Sequence, residues 1–234
     1  GLCVYLQNTS TQPLWSPDLL TRLCDWAASQ QLARLSIDDH ATPLTIFAPT
    51  QPQVKFGTIG VTPPPEAFLQ ATEHGEAALQ TAIAEILHGH MHIADLFAGC
   101  GSLSLPLIDQ LAGLLAVEAD GAALTALKAG VDAAGLGGRL TTQQRDLFDL
   151  PLLPDKFGKI TAVIIDPPRS GAIAQCQQIA QSHISTIAMA SCNPASFARD
   201  AACLSRAGFC LDWVQPVDQF NHSNHLELVG AFSR

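Results

Sequence analysis

The sequence predicts an α/β fold in which helices cover both faces of a doubly wound, mostly parallel sheet. From residue 92 onward, short strand-like segments alternate with helical ones, as in chains that build parallel sheets. The segment 160–165 is apolar and β-branched almost throughout, as expected of a strand covered on both faces. A turn with two glycines (99 and 101) follows one predicted strand, and a turn with two prolines (167 and 168) follows another.

Composition limits the class of protein. The chain has 234 residues, of which 47% are hydrophobic and 14% charged, which suits one large domain, or one domain with a small appendage. Twelve basic residues against 21 acidic ones give a formal charge of −9, which argues against a free-standing nucleic-acid-binding module. No apolar run approaches the roughly 18 residues of a membrane span, so no membrane association is expected.

The cysteines and the first residues indicate compartment and context. Seven cysteines, an odd number with no CxxC pair, favour a reducing cytoplasm over a disulfide framework or a structural zinc site. No basic stretch followed by an apolar one, typical of a signal peptide, occurs at the start. Residue 1 is glycine, and residues 2–6 read like the middle of a strand, so we expect part of a longer chain. We also expect a monomer.

The elements divide the chain at residue 62. Residues 1–62 are predicted to form a small α+β appendage, which ends at three consecutive prolines (63–65). Residues 63–234 form the main domain. We predict helices at 17–31, 66–88, 103–111, 121–134 and 194–207, and strands at 93–97, 113–118, 139–144, 160–165, 185–190, 209–216 and 225–232, with the last two strands antiparallel.

Acidic residues near the ends of the first three main-domain strands predict a cofactor site. In parallel sheets, ligands bind at the carboxyl ends of strands. Asp95 precedes the Gly99–Cys–Gly101 turn, Glu118 suits a ribose diol, and Asp146 suits an adenine amino group. Position 104 is serine where a dinucleotide-binding turn has its third glycine, so the set favours S-adenosylmethionine over NAD. Each acid taken alone also fits a helix cap or a solvated loop.

Three residues near the later strands predict the reaction end. Asp166 is followed by two prolines, which stiffen the turn that holds its carboxylate at the mouth of the pocket. Cys192 ends a strand just before a helix begins, where backbone N–H groups would stabilise a thiolate; a buried structural thiol is the alternative. Glu227 lies in an apolar run, where burial would raise its pKa and suit a general base; an edge glutamate facing water is the alternative.

The alternating histidines at 88, 90 and 92 do not predict a metal centre. No carboxylate or cysteine is spaced with them, so we expect a solvated loop and no bound metal.

Over about residues 60–234, the chain resembles the RNA uracil-5-methyltransferases, the family that makes 5-methyluridine in ribosomal RNA and tRNA. The resemblance rests on five motifs. They are Ala-Phe-Leu-Gln at 67–70, Asp-Leu-Phe-Ala-Gly-Cys-Gly at 95–101, Asp-Pro-Pro-Arg-Ser-Gly-Ala at 166–172, Ser-Cys-Asn-Pro at 191–194 with Ala-Arg-Asp at 198–200, and His-Leu-Glu at 225–227. Residues 1–60 resemble, weakly, the small central domain of the bacterial ribosomal members. The substrate-binding β-barrel domain and the iron–sulfur cysteine cluster of some members have no counterpart in this sequence.

The resemblance implies a fold, a reaction and a role for each matched residue. The fold is the Rossmann-like class I fold of S-adenosylmethionine-dependent methyltransferases. Cys192 would add to uracil C6, and Glu227 would remove the C5 proton after methyl transfer. Arg169 or Arg199 would contact RNA phosphate or the enolate oxygen. The S-adenosylmethionine site would be lined by Gln70, Phe97, Ser102, Glu118, Asp146 and Asp166.

The leading hypothesis is therefore methylation of uracil C5 in RNA, with 23S rRNA as the first expected substrate. Methylation of tRNA uridine or of another substrate is the alternative among enzymes. A non-catalytic module that binds S-adenosylmethionine or RNA is a second class, and the retained Cys192 and Glu227 argue against it. A nicotinamide-dependent oxidoreductase is a third, which the missing third glycine disfavours. The motifs leave the RNA and the uridine open.

Overall fold

A computed structural model describes residues 1–9, 14–38, 42–220, 222–223 and 225–234. The strands in this part of the chain are β1 (Cys3–Gln7), β2 (Arg34–Asp38), β3 (Leu44–Phe47), β4 (Val54–Phe56), β5 (Ile59–Val61), β6 (His92–Leu96), β7 (Gly113–Glu118), β8 (Leu140–Gln144), β9 (Ala162–Ile165), β10 (Thr186–Ser191), β11 (Cys210–Val217) and β12 (Glu227–Ser233). The α-helices are α1 (Pro17–Ser29), α2 (Glu73–Ile86), α3 (Gly121–Ala133), α4 (Ile173–Ala180) and α5 (Pro194–Arg206).

The amino-terminal unit is a small α+β layer. β1 pairs parallel with β2, β2 pairs antiparallel with β3, and α1 packs on this sheet. α1 begins where the Ser16 side chain accepts a hydrogen bond of 3.3 Å from the Leu19 N–H, with Pro17 in the first turn. The predicted α+β appendage is thereby confirmed, although β2 was not predicted.

The main sheet has the strand order β11-β12-β10-β9-β6-β7-β8. From β10 to β8 the neighbouring strands are parallel, whereas β12 runs antiparallel to both β10 and β11. The predicted mostly parallel sheet and the antiparallel carboxyl-terminal pair are confirmed. The structure adds one feature to that prediction, because β12 inserts between β10 and β11.

Two apolar layers bury the central strands from opposite sides. On β9, Ala162 and Ile164 pack into the layer that includes α2 and α3, while Val163 and Ile165 pack into the layer that includes α4 and α5. All four side chains are fully buried. Because successive side chains of a strand point to opposite faces, an unbroken apolar strand requires cover on both sides, as this sheet has.

The predicted helix at 103–111 is wrong in type. Residues Leu105–Gln110 form a 3₁₀-helix, and β7 begins only three residues later, at Gly113. Pro106 lacks an N–H, and Ser104 provides no side-chain cap. A 3₁₀ turn places residues three apart on one face, and Leu105 and Ile108 are accordingly buried in the same layer. Helix α4 and strands β4 and β5 were also not predicted.

The β4–β5 hairpin packs against the main domain. Phe56, Ile59 and Val61 are fully buried in the same apolar layer as α2 and α3. The approach to α3 is close, since a Cβ atom at Gly130 would lie 2.7 Å from the Gly60 carbonyl oxygen. The domain boundary at residue 62 stays a prediction, and this packing groups the hairpin with the residues that follow it.

We expect truncation of the hairpin to destabilise the whole main domain. Ile59→Ala removes a fully buried side chain and should lower the free energy of unfolding by about 2–4 kcal/mol. Leu44→Ala, at a side chain that is 59% exposed on β3, is the control and should change it by less than about 0.5 kcal/mol. Denaturant titration measures both. Equal effects of the two substitutions would contradict the packing described.

Candidate active site

A cavity of about 660 Å³ opens where the strands of the main sheet reach their carboxyl ends. Its size falls within the range of ligand pockets, roughly 300–1,000 Å³. With the exception of Asp95, the residues that the sequence and the family resemblance singled out for the cofactor and for catalysis all line this cavity. These lining residues are Gln70, Phe97, Ser102, Glu118, Asp146, Asp166, Cys192 and Glu227.

The turn after β6 places backbone atoms, not covered by a side chain at Gly99, at the wall of the cavity. Phe97 has a left-handed backbone with φ of 66°, and the N–H groups of Phe97 and Ala98 both donate to the Val117 carbonyl, at 3.0 and 3.1 Å. Gly99 also has positive φ, at 52°, and a Cβ built there would meet no atom within 4 Å. A non-glycine residue held in this conformation is strained, and such strain concentrates at functional sites. The turn thus leaves room for a ligand beside its backbone.

Glu118 joins the turns after β6 and β7. One carboxylate oxygen accepts from the Gly99 N–H at 2.9 Å, and the other accepts from the N–H groups of Ala119 and Asp120 at 2.7 and 3.0 Å. Asp120 in turn caps α3 by accepting from the Ala122 N–H at 2.8 Å. Since two carboxylate oxygens offer about four acceptor positions, Glu118 keeps capacity for a ligand hydroxyl.

An aromatic wall stands beside these acids, formed by the predicted Phe97 and by Phe148, which the sequence analysis missed. Asp146 accepts from the Phe148 N–H at 2.8 Å, which folds the loop after β8 back on itself. The Phe148 ring then lies 5.5 Å from the ring of Phe97, tilted by 54°, and remains 45% exposed. Aromatic rings in this geometry favour a flat heteroaromatic ligand. The signal available in the sequence was an aromatic residue two positions after a strand-end acid.

Cys192 and Glu227 meet through strand pairing. β10 pairs antiparallel with β12 so that Ser191 lies opposite Leu228. Cys192 directly follows β10 and Glu227 is the first residue of β12; both line the cavity, where the carboxyl group of Glu227 acts on the Cys192 thiol. Glu227 is only 5% exposed. This register places a thiol beside a buried carboxyl group.

The Cys192 thiol ionises less readily than an ordinary cysteine thiol. Burial, followed by the carboxyl groups of Glu227 and Asp166, raises its pKa above the ordinary value of 9.0, while a backbone hydrogen bond and the guanidinium of Arg169 oppose that rise. A backbone hydrogen bond at Cys192 favours the thiolate, as the sequence predicted, but burial and the two acids outweigh it, so the net pKa rises.

The two carboxyl groups of the reaction end also hold protons more tightly than usual. Burial raises the pKa of Glu227, and a hydrogen bond from Gln219 opposes the rise, so the predicted direction is confirmed. Burial, Glu227 and Asp95 raise the pKa of Asp166 to about 7. Asp166 can thus exchange protons near neutral pH.

The sequence predicted that Asp95 would line the cavity, but the structure places it elsewhere. Its carboxyl group is 1% exposed and lies on the face of β6 that packs against the α2 and α3 layer. Burial raises its pKa to about 7, more than the neighbouring Ser104 hydroxyl lowers it. Asp95 does not reach the cavity, but its charge raises the pKa of Asp166, which lines it.

A buried carboxylate ties the proline turn to α5. Asp200, 1% exposed, accepts from the Ala172 N–H at 2.5 Å and pairs with Arg199 at 2.7 and 2.9 Å. Arg199 also donates to the Ser170 carbonyl at 2.8 Å. We call this set of contacts the Asp200 clamp. It commits Arg199 to a structural pair, whereas the side chains of Arg169 and Arg145 both line the cavity.

The described residues contain neither a metal-binding cluster nor a membrane-spanning helix. Within the described ranges, no group of three or more histidine, cysteine or acidic residues is arranged to hold a metal ion, and His90 instead hydrogen-bonds the Thr161 hydroxyl at 2.8 Å. No helix in the part of the chain that the structure covers is long and apolar enough to cross a membrane.

Curated proteins with similar sequences are RNA methyltransferases. The chain is 44% identical over 220 residues to an uncharacterized RNA methyltransferase of Caulobacter vibrioides, covering 94% of this chain and 52% of that protein. It is 36% identical over 172 residues to the 23S rRNA (uracil(1939)-C(5))-methyltransferase of Chromohalobacter salexigens, covering 73% and 35%. These relatives confirm the resemblance predicted from the motifs. The chain spans about half the length of the first of these relatives.

A solved structure confirms the fold. The tRNA (uracil-54, C5)-methyltransferase of Pyrococcus abyssi, in complex with S-adenosyl-L-homocysteine, superposes with a TM-score of 0.69 at 19% identity, covering 85% of this chain and 50% of that one. The predicted Rossmann-like class I methyltransferase fold is therefore correct. No family model matches the chain.

We expect the pH dependence of Cys192 alkylation to follow its charged neighbours. Iodoacetamide reacts with the thiolate, so the rate at Cys192 should rise with a midpoint above pH 9.0. Glu227→Gln removes a negative neighbour and should move the midpoint down, whereas Arg169→Met removes a positive one and should move it up. Peptide mass spectrometry resolves this cysteine from the other six. Asp212→Asn, on β11 and remote from the cavity, is the control and should leave the midpoint unchanged. If neither Glu227→Gln nor Arg169→Met moved the midpoint, the electrostatics described would be contradicted.

Asp95 should make stability fall as the pH rises through the weakly acidic range. Its folded pKa of about 7 exceeds its ordinary value of 3.8, so the folded state binds the extra proton between these limits. Unfolding free energy should then decrease from about pH 4 to about pH 7 and level off above. Asp95→Asn should flatten this slope and stabilise the protein at pH 8 by up to about 4 kcal/mol. Denaturant titrations across pH, with the exposed Asp155→Asn as control, measure it; an unchanged slope in Asp95→Asn would count against the assignment.

Proposed function

Starting from the homology of this chain to RNA methyltransferases, we propose that it is the catalytic part of an S-adenosylmethionine-dependent RNA uracil-5-methyltransferase. We further propose 23S rRNA as its substrate, in the light of the 36% identical relative with that activity. One observation carries the proposal: the pairing of β10 with β12 sets Cys192 beside Glu227 in the same cavity as the strand-end acids. A nucleophile and a buried base in one cavity suit addition to a pyrimidine ring followed by proton removal.

The residues present fit S-adenosylmethionine. The open space at Gly99, the free acceptor capacity of Glu118 and the aromatic wall of Phe97 and Phe148 suit a nucleoside. We propose that Glu118 accepts from the ribose and Asp146 from the adenine amino group, with Gln70, Phe97, Ser102 and Asp166 completing the site. When bound, the cofactor supplies an electrophilic methyl group on a positively charged sulfonium.

The proposed chemistry begins at Cys192. Uracil C5 is a weak nucleophile, and addition of the thiolate sulfur to C6 turns the ring into an enolate whose negative charge reaches C5. C5 can then form its new bond to the methyl carbon while the bond between that carbon and the sulfonium sulfur breaks, and the electron pair of the broken bond leaves the sulfur as a neutral thioether. Glu227 removes the C5 proton, the electron pair of that C–H bond restores the double bond between C5 and C6, and the C6–S bond breaks to return the Cys192 thiolate.

The charges around Cys192 fit an order of events in which the cavity fills first. Two acids and burial disfavour the thiolate in the free protein. A positive charge inside the cavity, such as a sulfonium, offsets those acids and stabilises the thiolate. Arg169 at the cavity wall acts in the same direction and is placed to meet the enolate oxygen or an RNA phosphate.

We propose that the strongest contacts to RNA come from parts of the full protein outside these residues. The formal charge of −9 disfavours a strong electrostatic grip on a polyanion. Residues 1–62 would then be the remnant of a central domain, and residues 63–234 the methyltransferase domain. We propose a monomer that acts in the cytoplasm, as the reduced cysteines suggest.

The function is tested by replacing the proposed nucleophile. With labelled S-adenosylmethionine and unmodified 23S rRNA or tRNA, the wild type should form 5-methyluridine, and Cys192→Ala should lose at least about 10³-fold in rate because ring activation is lost. Cys203→Ala, at a half-buried cysteine in α5, is the matched control and should retain activity. Undiminished methylation by Cys192→Ala would refute the proposed mechanism.

Trapping separates the covalent mechanism from methylation by another route. With RNA carrying 5-fluorouridine, the wild type should form a stable adduct, because fluorine cannot leave as a proton. Glu227→Gln should trap natural RNA in the same way, since the C5 proton then has no base. Gel shift under denaturing conditions measures both. An active enzyme that formed no adduct would refute attack at C6.

A further inference from the structure

The amino-terminal unit contacts the main domain through the side chain of Arg34, the first residue of β2. Its guanidinium group donates a short hydrogen bond of 2.6 Å to the Pro63 carbonyl oxygen and a longer one of 3.4 Å to the Pro64 carbonyl oxygen. A charged donor makes stronger hydrogen bonds than a neutral one, and the planar fork of nitrogens fixes direction as well as distance. One side chain of β2 thus holds two consecutive carbonyl groups that follow β5.

These carbonyl groups begin a segment that forms one wall of the cavity. We call residues 63–70 the wall segment. Its three consecutive prolines have no N–H group, so they cannot donate to a neighbouring strand. The Pro64 carbonyl also accepts from the Ala67 N–H at 3.1 Å, which closes a turn. The residues of the segment that line the cavity are Glu66, Ala67, Phe68 and Gln70.

The far end of the wall segment is anchored inside the main domain. The side-chain nitrogen of Gln219, which is 6% exposed, donates to the Gln70 side-chain oxygen at 2.7 Å. A Cβ atom at Gly75, in the first turn of α2, would lie only 2.8 Å from the Gln219 Cβ, so this anchor is closely packed. Between the two anchors the segment has neither helix nor strand. Its position therefore depends on side-chain donors, with Arg34 at one end and Gln219 at the other.

We propose that Arg34 is a positioning residue, which holds the wall segment against the cavity and thereby strengthens binding of the cofactor. This inference rests on the proposed function, in which Gln70 lines the S-adenosylmethionine site. Arg34 is not among the residues that line the cavity, so it acts through the wall segment. The amino-terminal unit then supports the cofactor site of the main domain.

Arg34→Met tests this role, because methionine keeps an unbranched side chain without the hydrogen bonds. Binding of S-adenosyl-L-homocysteine, measured by isothermal titration calorimetry, should weaken about tenfold as the wall segment loses its anchor. Arg34→Lys keeps a charged donor without the planar fork and should fall between Arg34→Met and the wild type. Arg22→Met, at an exposed position on α1, removes the same charge from the same unit and should bind as the wild type does. Wild-type affinity in Arg34→Met would overturn the proposal.

Hydrogen exchange measured by NMR supplies a readout that needs no cofactor. In Arg34→Met the Ala67 N–H should exchange at least about tenfold faster, while the buried strand β9 should exchange as in the wild type. Unchanged exchange at Ala67 would overturn the proposal, and so would equally faster exchange at β9, which would mean a loss of overall stability. A wild type that binds no S-adenosyl-L-homocysteine, while Ala67 still responds to Arg34→Met, refutes the proposed function and leaves the anchoring of the wall segment standing.

Discussion

The antiparallel pairing of β12 with β10 is the contact on which the candidate site depends. Cys192 and Glu227 are 35 residues apart in the chain, and only the register that sets Ser191 opposite Leu228 makes them neighbours. Because side chains alternate along a strand, a shift of one residue would turn Glu227 away from the cavity. The insertion of β12 between β10 and β11 secures this register from both sides. The remaining site residues are arranged around this pair.

Burial is the second constraint, and it sets the chemistry. A sheet covered on both faces places its strand ends in a poorly solvated cavity, where ionised acids are costly. Asp95, Asp166 and Glu227 consequently hold protons more tightly than free side chains. Of these acids, Glu227 and Asp166 oppose ionisation of the Cys192 thiol. On the proposed function, a cationic cofactor would favour the ionised form of all these groups at once, which would link cofactor binding to ionisation of the thiol.

Much of this arrangement was predictable from the sequence, because local signals and strand ends coincide. The apolar 160–165 run, the glycines at 99 and 101 and the strand-end cysteine each identify a place in a doubly wound sheet, and the eight predicted residues meet at one cavity. The 3₁₀-helix at Leu105–Gln110 was not predictable from periodicity, since its apolar residues fit an α-helix equally well. Asp95 and the net pKa shift of Cys192 depend on which face a side chain takes and on distant charges. No motif marks the hydrogen bond from Gln219 to Gln70, which joins residues 149 apart and is seen only in the tertiary structure.

The Asp200 clamp makes the two sides of the cavity mechanically unequal. The proline turn that carries Arg169 and helix α5, which follows Cys192, are joined by hydrogen bonds from the Ala172 N–H to Asp200 and from Arg199 to the Ser170 carbonyl. The opposite side is formed by residues 62–72, which have no helix or strand and present Phe68 with 75% of its surface exposed. On the proposed function, an RNA base entering the cavity would meet on one side the Asp200 clamp and on the other a segment without helix or strand, so the two sides of its entrance are held in different ways.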